Sequence, residues 1–247
     1  MTRGEQLDSL RGKAALVTGA AKRIGRQLAL SLAEAGADVA ITYRGSQESA
    51  LQTRRDVESF GVRGLAVNCN VRDPDSVRAA VAEVGDGFGR LDLLVNNAGL
   101  FETAALESIQ VEAWDAMFET NTRGPFLMAQ AAYGLLTAGE GRIVNIGSLG
   151  GMHPWATHGH YCTSKAALHM LTQTMAKAWA PLISVNGIAP GMIVNGEVGA
   201  DYEQFAAKTP MKRNGTPHDV AAALMFFATA PRFITGQILA VDGGLGL

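Results

Sequence analysis

Tyr161 and Lys165 are the residues whose types and spacing most directly suggest proton chemistry. A phenol has an ordinary pKa near 10, so it serves at neutral pH only where a neighbour favours its anion. An ammonium four residues along a helix projects from the same face and does this electrostatically. Lowering a phenol by about three units takes about 4 kcal/mol of differential stabilisation, at about 1.36 kcal/mol per unit. Ser148 lies 13 residues before Tyr161, just after a predicted strand. Its hydroxyl there can donate to an oxygen that is gaining negative charge.

Tyrosine and lysine four apart occur by chance in many helices, so the elements that would position them decide the matter. Compact apolar runs over 14–18, 38–43, 63–69, 91–95, 141–146, 183–188 and 237–241 predict strands. Between them, amphipathic stretches predict helices over 24–35, 47–60, 74–84, 111–120, 125–136, 161–179 and 219–229. In the first of these Ile24, Leu28, Leu32 and Ala35 recur at helical spacing, and Asp73-Pro74 reads as an N-cap followed by proline at the first helical position. Strands separated by helices imply crossovers between parallel strands, with helices on both faces of a doubly wound sheet. Ligands of such sheets bind beyond the carboxyl ends of the strands.

The first strand is followed by Thr18-Gly19-Ala20-Ala21-Lys22-Arg23-Ile24-Gly25. These glycines do not fit G-x-G-x-x-G, yet the turn leads into a helix N-terminus, whose unpaired N–H groups suit a phosphate. Asn96-Asn97-Ala98-Gly99 follows the fourth strand, and small residues there let a backbone approach a ligand closely. With Ser148, Tyr161 and Lys165 at their spacing, this set resembles the short-chain dehydrogenase/reductase family, whose first loop reads TGxxxGxG. Arg23 stands where that family has its middle glycine, a variant similar to pteridine reductases and many NADPH-dependent relatives. The resemblance runs from about Lys13 to Gly244.

The resemblance implies an α/β, single-domain doubly wound (Rossmann) fold over 1–247, a seven-stranded parallel sheet in the order 3-2-1-4-5-6-7. It implies hydride transfer between a nicotinamide and a carbonyl or alcohol. Ser148, Tyr161 and Lys165 would be catalytic, and Asn121 would be the fourth catalytic position, holding a water relay behind the lysine. The cofactor would lie against Gly19, Lys22, Arg23 and Ile24, then Tyr43, Arg44 and Ser46, then Asn97, Ala98 and Gly99. Asn70-Val71 occupies the place beside the adenine where relatives usually carry Asp-Val; the amide retains an acceptor oxygen. Tyr161 and Lys165 border the cofactor as well, and Pro190, Gly191 and Ile193 are similar to the family's nicotinamide-side loop. Asn195 stands there where relatives usually have threonine.

An acid at the end of the second strand would bind a ribose 2′-hydroxyl and repel a 2′-phosphate. This strand ends Ile41-Thr42-Tyr43-Arg44-Gly45-Ser46, without an acid, and Lys22, Arg23 and Arg44 supply positive charge. The expected cofactor is therefore NADPH/NADP+.

Substrate choice should reside in 149–160, with Trp155 and three histidines, and in 195–213, which contains Glu197, Asp201 and Tyr202 and reads as a helical lid. The histidines have no carboxylate near them in sequence, so no metal is expected. The nearest named type is 3-oxoacyl-acyl-carrier-protein reductase. Pteridine reduction is an alternative, suggested by TGAAKRIG and the turn Trp179-Ala180-Pro181-Leu182; the uninterrupted NNAG and Ser148, where those enzymes commonly carry Asp, oppose it. A catalytically silent NADP(H)-sensing binding protein is a third reading, opposed by the presence of Ser148, Tyr161 and Lys165.

A net charge of −2 argues against nucleic acid or anionic membrane as partner. No apolar run approaches the roughly 18 residues of a membrane span, and the polar start MTRGEQLDSLRGK has no secretory core. Cys69 and Cys162 do not make a disulfide framework, and a cytoplasmic location is expected. Helices 125–136 and 161–179 are richer in Ala, Leu and Met than one core-facing stripe requires, which with the resemblance suggests a homotetramer.

Overall fold

Strands that carry Val, Ile, Leu and Ala without polar alternation must be covered on both faces. In the computed structural model, which describes residues 9–196 and 200–247, seven such strands form one parallel sheet. They are β1 (Ala14–Val17), β2 (Asp38–Tyr43), β3 (Gly64–Asn68), β4 (Leu93–Asn96), β5 (Arg142–Ile146), β6 (Ser184–Pro190) and β7 (Ile238–Val241). Their order is β3-β2-β1-β4-β5-β6-β7, as the resemblance implied. Register is set centrally by Val17 beside Val95 and by Asn96 beside Asn145.

The twofold periodicity of a strand sorts its side chains between two apolar layers. Ala15 and Val17 of β1 face one layer; Ala14 and Leu16 face the other. The first layer is closed by Leu28 and Leu32 of α1 (Arg23–Glu34) and by Leu224 and Phe227 of α8 (Pro217–Thr229). The second is closed by Val84 of α3 (Pro74–Phe88), by Met128 and Leu136 of α5 (Gly124–Ala138), and by Met175 of α6 (Gly159–Trp179). The other helices are α2 (Gln47–Glu58), α4 (Val111–Phe118) and α7 (Ala200–Lys208). Among the described residues, no helix is long and apolar enough to cross a membrane.

Two helices depart from expectation. α3 continues past 84 through Gly85 and Gly87 to Phe88. Phe88 is buried one turn after Val84, and a Cβ on Gly87 would lie 2.6 Å from Leu65 Cδ1, so the glycine permits close packing rather than ending the helix. The helices expected over 111–120 and 125–136 form one rod, because a π turn at Glu119–Arg123 joins α4 to α5. A π turn adds a residue to the helical circuit and is common at functional sites. This one carries Asn121, whose side chain is fully buried. Glu197 and the side chain of Asp201 lie outside the described residues.

Candidate active site

The loops that follow β1 to β4 wall a cleft of about 680 Å³. Its floor depends on two glycines with different tasks. Gly19 has φ +63°, and a Cβ on it would lie 2.8 Å from Ala98 Cα. A Cβ on Gly25 would collide with Asn97 Nδ2. That amide donates instead to the carbonyls of Thr18 at 2.9 Å and Gly19 at 3.1 Å, and Gly19 N–H donates to Thr42 Oγ1 at 3.2 Å. Asn97 thus braces the glycine loop. Arg23 also has a positive φ, +54°. The family's glycine suits that conformation, and an L-residue held there costs about 1 kcal/mol.

Gly19, Lys22, Arg23 and Ile24 line the cleft, as do Tyr43, Arg44 and Ser46 from the next loop. Asn70 and Val71 form its far end, and Asn97, Ala98 and Gly99 its inner wall. The sequence reading missed Thr42, Cys69, Arg72, Leu100 and Thr120. Four lining residues are cations, Lys22, Arg23, Arg44 and Arg72, and none is an acid. Lys22 and Ser46 are the N-cap residues of α1 and α2, and neither side chain caps its helix. Two helix N-termini open beside cations, and a glycine wall that a Cβ would obstruct, fit a dinucleotide bearing phosphates. Asn70 Oδ1 accepts Arg72 N–H at 3.3 Å, so the oxygen reserved for adenine already has a local partner.

The residues after β6 lie outside this lining. Pro190 is buried at the end of the strand, and a Cβ on Gly191 would lie 2.7 Å from that of Asp242, which explains the glycine by packing. Ile193 forms a parallel bridge with Gly215, and Asn195 is exposed. A second cavity, about 740 Å³, opens at the amino ends of the strands, away from Tyr161. Its charges are engaged, with Asp92 gripped by Lys13 at 3.2 Å and Arg90 at 2.7 Å, Arg232 beside Glu140 at 3.2 Å, and Arg142 donating to the Ala230 carbonyl at 2.8 Å.

Beyond Gly99 the cleft meets the proton-active groups. A Cβ on Gly99 would lie 3.3 Å from Asn121 Oδ1 and 3.7 Å from Lys165 Nζ. Lys165 is buried; its ammonium donates to the Ile146 carbonyl at 2.8 Å and lies 5.9 Å from the Tyr161 ring centre. Burial pushes Lys165 down to about 8. Burial also pushes the Tyr161 phenol up, a shift that Ser148 partly offsets. In the cofactor-free chain, then, desolvation decides the direction for the phenol, since its charged form loses water, and the lowering expected from the lysine together with an oxidised nicotinamide belongs to the loaded site. Ser148 is buried, and its Oγ accepts Gly150 N–H at 3.1 Å.

Asn121 donates to Ser164 Oγ at 3.0 Å and to the Leu100 carbonyl at 3.0 Å, and accepts Leu100 N–H at 2.8 Å. Asn96 joins the core instead, donating to Asn145 Oδ1 at 2.9 Å, and Asn145 in turn donates to Thr172 at 2.9 Å.

Aromatic rings surround the phenol. Trp155 stacks on Tyr161 at 6.1 Å, and Phe101 meets it edge-on at 4.8 Å. Phe101 also stacks on His158 at 4.9 Å. His160 is buried with Nε2 4.0 Å from Glu102, while His153 lies near the chain end, with Nε2 2.9 Å from where a Cβ on Gly246 would be. Among the described residues, no group of three or more His, Cys, Asp or Glu could hold a metal ion. Phe101 and His169 were missed, although Phe101 follows Gly99 by two residues and His169 follows Lys165 by four on the same helical face.

Comparison with known proteins agrees with this architecture. The family model described as enoyl-(acyl carrier protein) reductase matches residues 19–246. The chain is 38% identical, over 94% of its length and 98% of the relative's, to 3-oxoacyl-[acyl-carrier-protein] reductase FabG of Staphylococcus aureus. It is 36% identical to L-rhamnose 1-dehydrogenase (NAD(P)(+)) of a Sphingomonas species, over 96% and 97%. A short-chain dehydrogenase of Burkholderia cenocepacia, solved in complex with NADP, superposes with a TM-score of 0.91 at 39% identity, over 97% of this chain and 100% of that one. The chain belongs to the short-chain dehydrogenase/reductase family. It is an oxidoreductase acting on CH–OH and C=O groups of small molecules with a nicotinamide cofactor.

Proposed function

We propose that this protein is an NADPH-dependent carbonyl reductase whose nearest substrate type is a 3-oxoacyl thioester of an acyl carrier protein. The convergence of Ser148, Tyr161 and Lys165 where the cleft wall ends at Gly99 carries this reading. The 38% identity to a 3-oxoacyl-[acyl-carrier-protein] reductase supports the substrate class. The unopposed cations Lys22, Arg23 and Arg44 support the 2′-phosphate, as does the NADP bound by the Burkholderia relative.

Bound in the cleft, the nicotinamide would supply the hydride. Ser148, whose Oγ already accepts Gly150 N–H, keeps its own proton to donate to the substrate oxygen. Tyr161 then delivers a proton to that oxygen as it becomes an alkoxide, completing the alcohol. A phenol pushed up by burial is protonated at neutral pH, which suits the reductive direction. Lys165, fixed by the Ile146 carbonyl, stabilises the phenolate left behind. Asn121 holds the wall beside Lys165 and is the fourth member of the set, with a water relay behind the lysine as its part.

The rings of Phe101, Trp155 and His158 favour a second substrate reading, a flat cyclic carbonyl compound or pterin, because flat groups stack on such walls. Segment 195–213 serves as a lid over the single Rossmann domain: it leaves and returns at Ile193 and Gly215, and its Tyr202 and Phe205 are exposed. Exposed Phe126 and Met170 on α5 and α6, with Phe226 and Leu239 on α8 and β7, support a homotetramer. Two free, buried thiols are in keeping with a reducing cytoplasm.

The test is loss of NADPH absorbance with acetoacetyl thioester, cyclic ketone and pterin substrates, beside Tyr161→Phe and with NADH as the alternative donor. Turnover that survives Tyr161→Phe, or that prefers NADH, contradicts the reading. A monomeric sedimentation profile contradicts the tetramer.

A further inference from the structure

Behind the Ser148 turn lies an imidazole in a space left by two glycines. A Cβ on Gly147 would collide with His169 Nε2, and a Cβ on Gly151 would lie 2.7 Å from its Cε1 and 2.9 Å from its Nδ1. The ring is buried, one turn beyond Lys165 on α6. Ser148 N–H donates to Nε2 across a long 3.4 Å. The Gly151 main chain also acts on the ring, in the sense that favours its protonated form. Gly151 N–H is already given to the Ser148 carbonyl at 2.9 Å, which leaves the Gly151 carbonyl to act on the ring, while Nε2 faces Ser148 N–H and Nδ1 lies on the Gly151 side. The near nitrogen, Nδ1, therefore carries the proton and Nε2 the lone pair.

The turn is fixed from its other side as well. Gly147 N–H donates to the Ile188 carbonyl of β6 at 2.7 Å, and Ser148 Oγ accepts Gly150 N–H. The imidazole ties the turn to the helix carrying Tyr161 and Lys165, one residue beyond the Ile146 carbonyl that Lys165 holds.

We propose that His169 is a positioning residue: as a neutral imidazole in the Nδ1–H tautomer, it accepts from Ser148 N–H, donates to Gly151 and sets the Ser148 hydroxyl against Tyr161. Burial, reinforced by the charge of Lys165, holds this histidine down to about 4, so the ring is neutral throughout the neutral range. Gly147 and Gly151 are the sequence marks of the arrangement, since neither position leaves room for a side chain while the ring is there.

The inference rests on the reading that Ser148 touches the substrate oxygen, and its test separates the two. Steady-state kinetics of wild type, Ser148→Ala, His169→Leu and His169→Gln are compared, with the NADPH dissociation constant measured for each. Glutamine offers one acceptor and one donor without titrating. His169→Leu is expected to lower kcat about 10-fold or more with NADPH affinity unchanged, and His169→Gln to recover to within about 3-fold of wild type. If Ser148→Ala is harmless, the reading of Ser148 fails. If Ser148→Ala is damaging while His169→Leu keeps wild-type kcat, or if Gln is no better than Leu, His169 only packs. A second readout needs neither substrate nor cofactor: ¹⁵N NMR of histidine-labelled protein, assigned with His169→Gln. It is expected to show His169 protonated at Nδ1, and a ring protonated at Nε2 overturns the proposal even where His169→Leu does not fold.

Discussion

Asn121 holds both main-chain polar groups of Leu100, accepting its N–H at 2.8 Å and donating to its carbonyl at 3.0 Å. One fully buried side chain thus joins the π turn to the loop after β4, against which the cofactor cleft is built. An ordinary α-helix through 111–138 would give up the extra residue that the π turn inserts at 119–123, and everything after it would rotate about the axis.

Asn121→Ala should therefore unsettle the fold as well as the chemistry. It strands Leu100 N–H and the Leu100 carbonyl, while Ser164 Oγ keeps its bond to the Tyr161 carbonyl, and each unmet buried group costs about 1–3 kcal/mol. A loss on the order of 2–4 kcal/mol in urea unfolding is expected, with turnover falling more than 10-fold at temperatures where the variant remains folded. Asn121→Asp, which keeps the acceptor and loses the donor, should sit between. A variant as stable as wild type would show that the clamp on Leu100 is dispensable.

The strands were legible because uninterrupted apolar runs between amphipathic stretches leave few alternatives to a doubly wound parallel sheet, and their order was legible only through the family resemblance. The cleft residues of the first four loops were legible through motif position. What the sequence did not disclose depended on partners distant in the chain. The helix expected to stop near Val84 runs on through Gly87 because Leu65, 22 residues earlier, packs against that glycine, and the need for glycine at 147 comes from His169, 22 residues later. The π turn was invisible because periodicity on either side of it is normal, and the gap read as a break between two helices. The direction of the Tyr161 shift in the cofactor-free chain was not legible either, because burial, its first cause, is a property of the folded environment.

In the proposed NADPH site, Arg23 would set stability against cofactor choice. Replacing it with glycine relieves a left-handed φ of +54° while removing a cation from the cleft. Arg23→Gly should gain up to about 1 kcal/mol in thermal unfolding without cofactor. It should also weaken NADPH about 10-fold, with little change for NADH, in fluorescence titrations at low salt, since the lost contact is electrostatic. Equal weakening of both dinucleotides would remove Arg23 from 2′-phosphate recognition.

Lys165 carries a pH signature whose sign follows from its burial. Its folded value of about 8 lies below the ordinary 10.5, so below pH 8 the ammonium is buried at full cost. That cost fades as the pH rises from 8 to 10.5, because the folded protein sheds the proton first. Lys165→Met abolishes the charge and also the bond to Ile146. The variant should be inactive with NADPH and substrate, yet without cofactor more stable than wild type at pH 6, by a net amount on the order of 2 kcal/mol, with the advantage shrinking towards pH 10. Denaturant titrations at pH 6 and pH 10 measure this directly. An advantage independent of pH would mean that the ammonium is better solvated than its burial implies.

The stem of the proposed lid offers a test apart from the reacting groups. Arg213 grips Asp219 through two bonds of 2.8 Å, and Asp219 completes a capping box with Thr216 at the start of α8. The Arg213 guanidinium, aided by Thr216, holds this carboxyl well below the usual carboxylate range. Its contribution is therefore complete above the unfolded value of 3.8 and is lost only as the pH falls below it, leaving the stem unaffected at neutral pH. Removing the partner is the sharper perturbation. If 195–213 closes over the substrate, Arg213→Ala should raise KM for the carbonyl compound about 3- to 10-fold while kcat and NADPH affinity change less than about 2-fold, because the loosened stem spends less time closed. An unchanged KM would mean that closure, if it occurs, does not pivot at this pair. A fall in kcat with KM constant would place Arg213 in the alignment of the reacting groups instead.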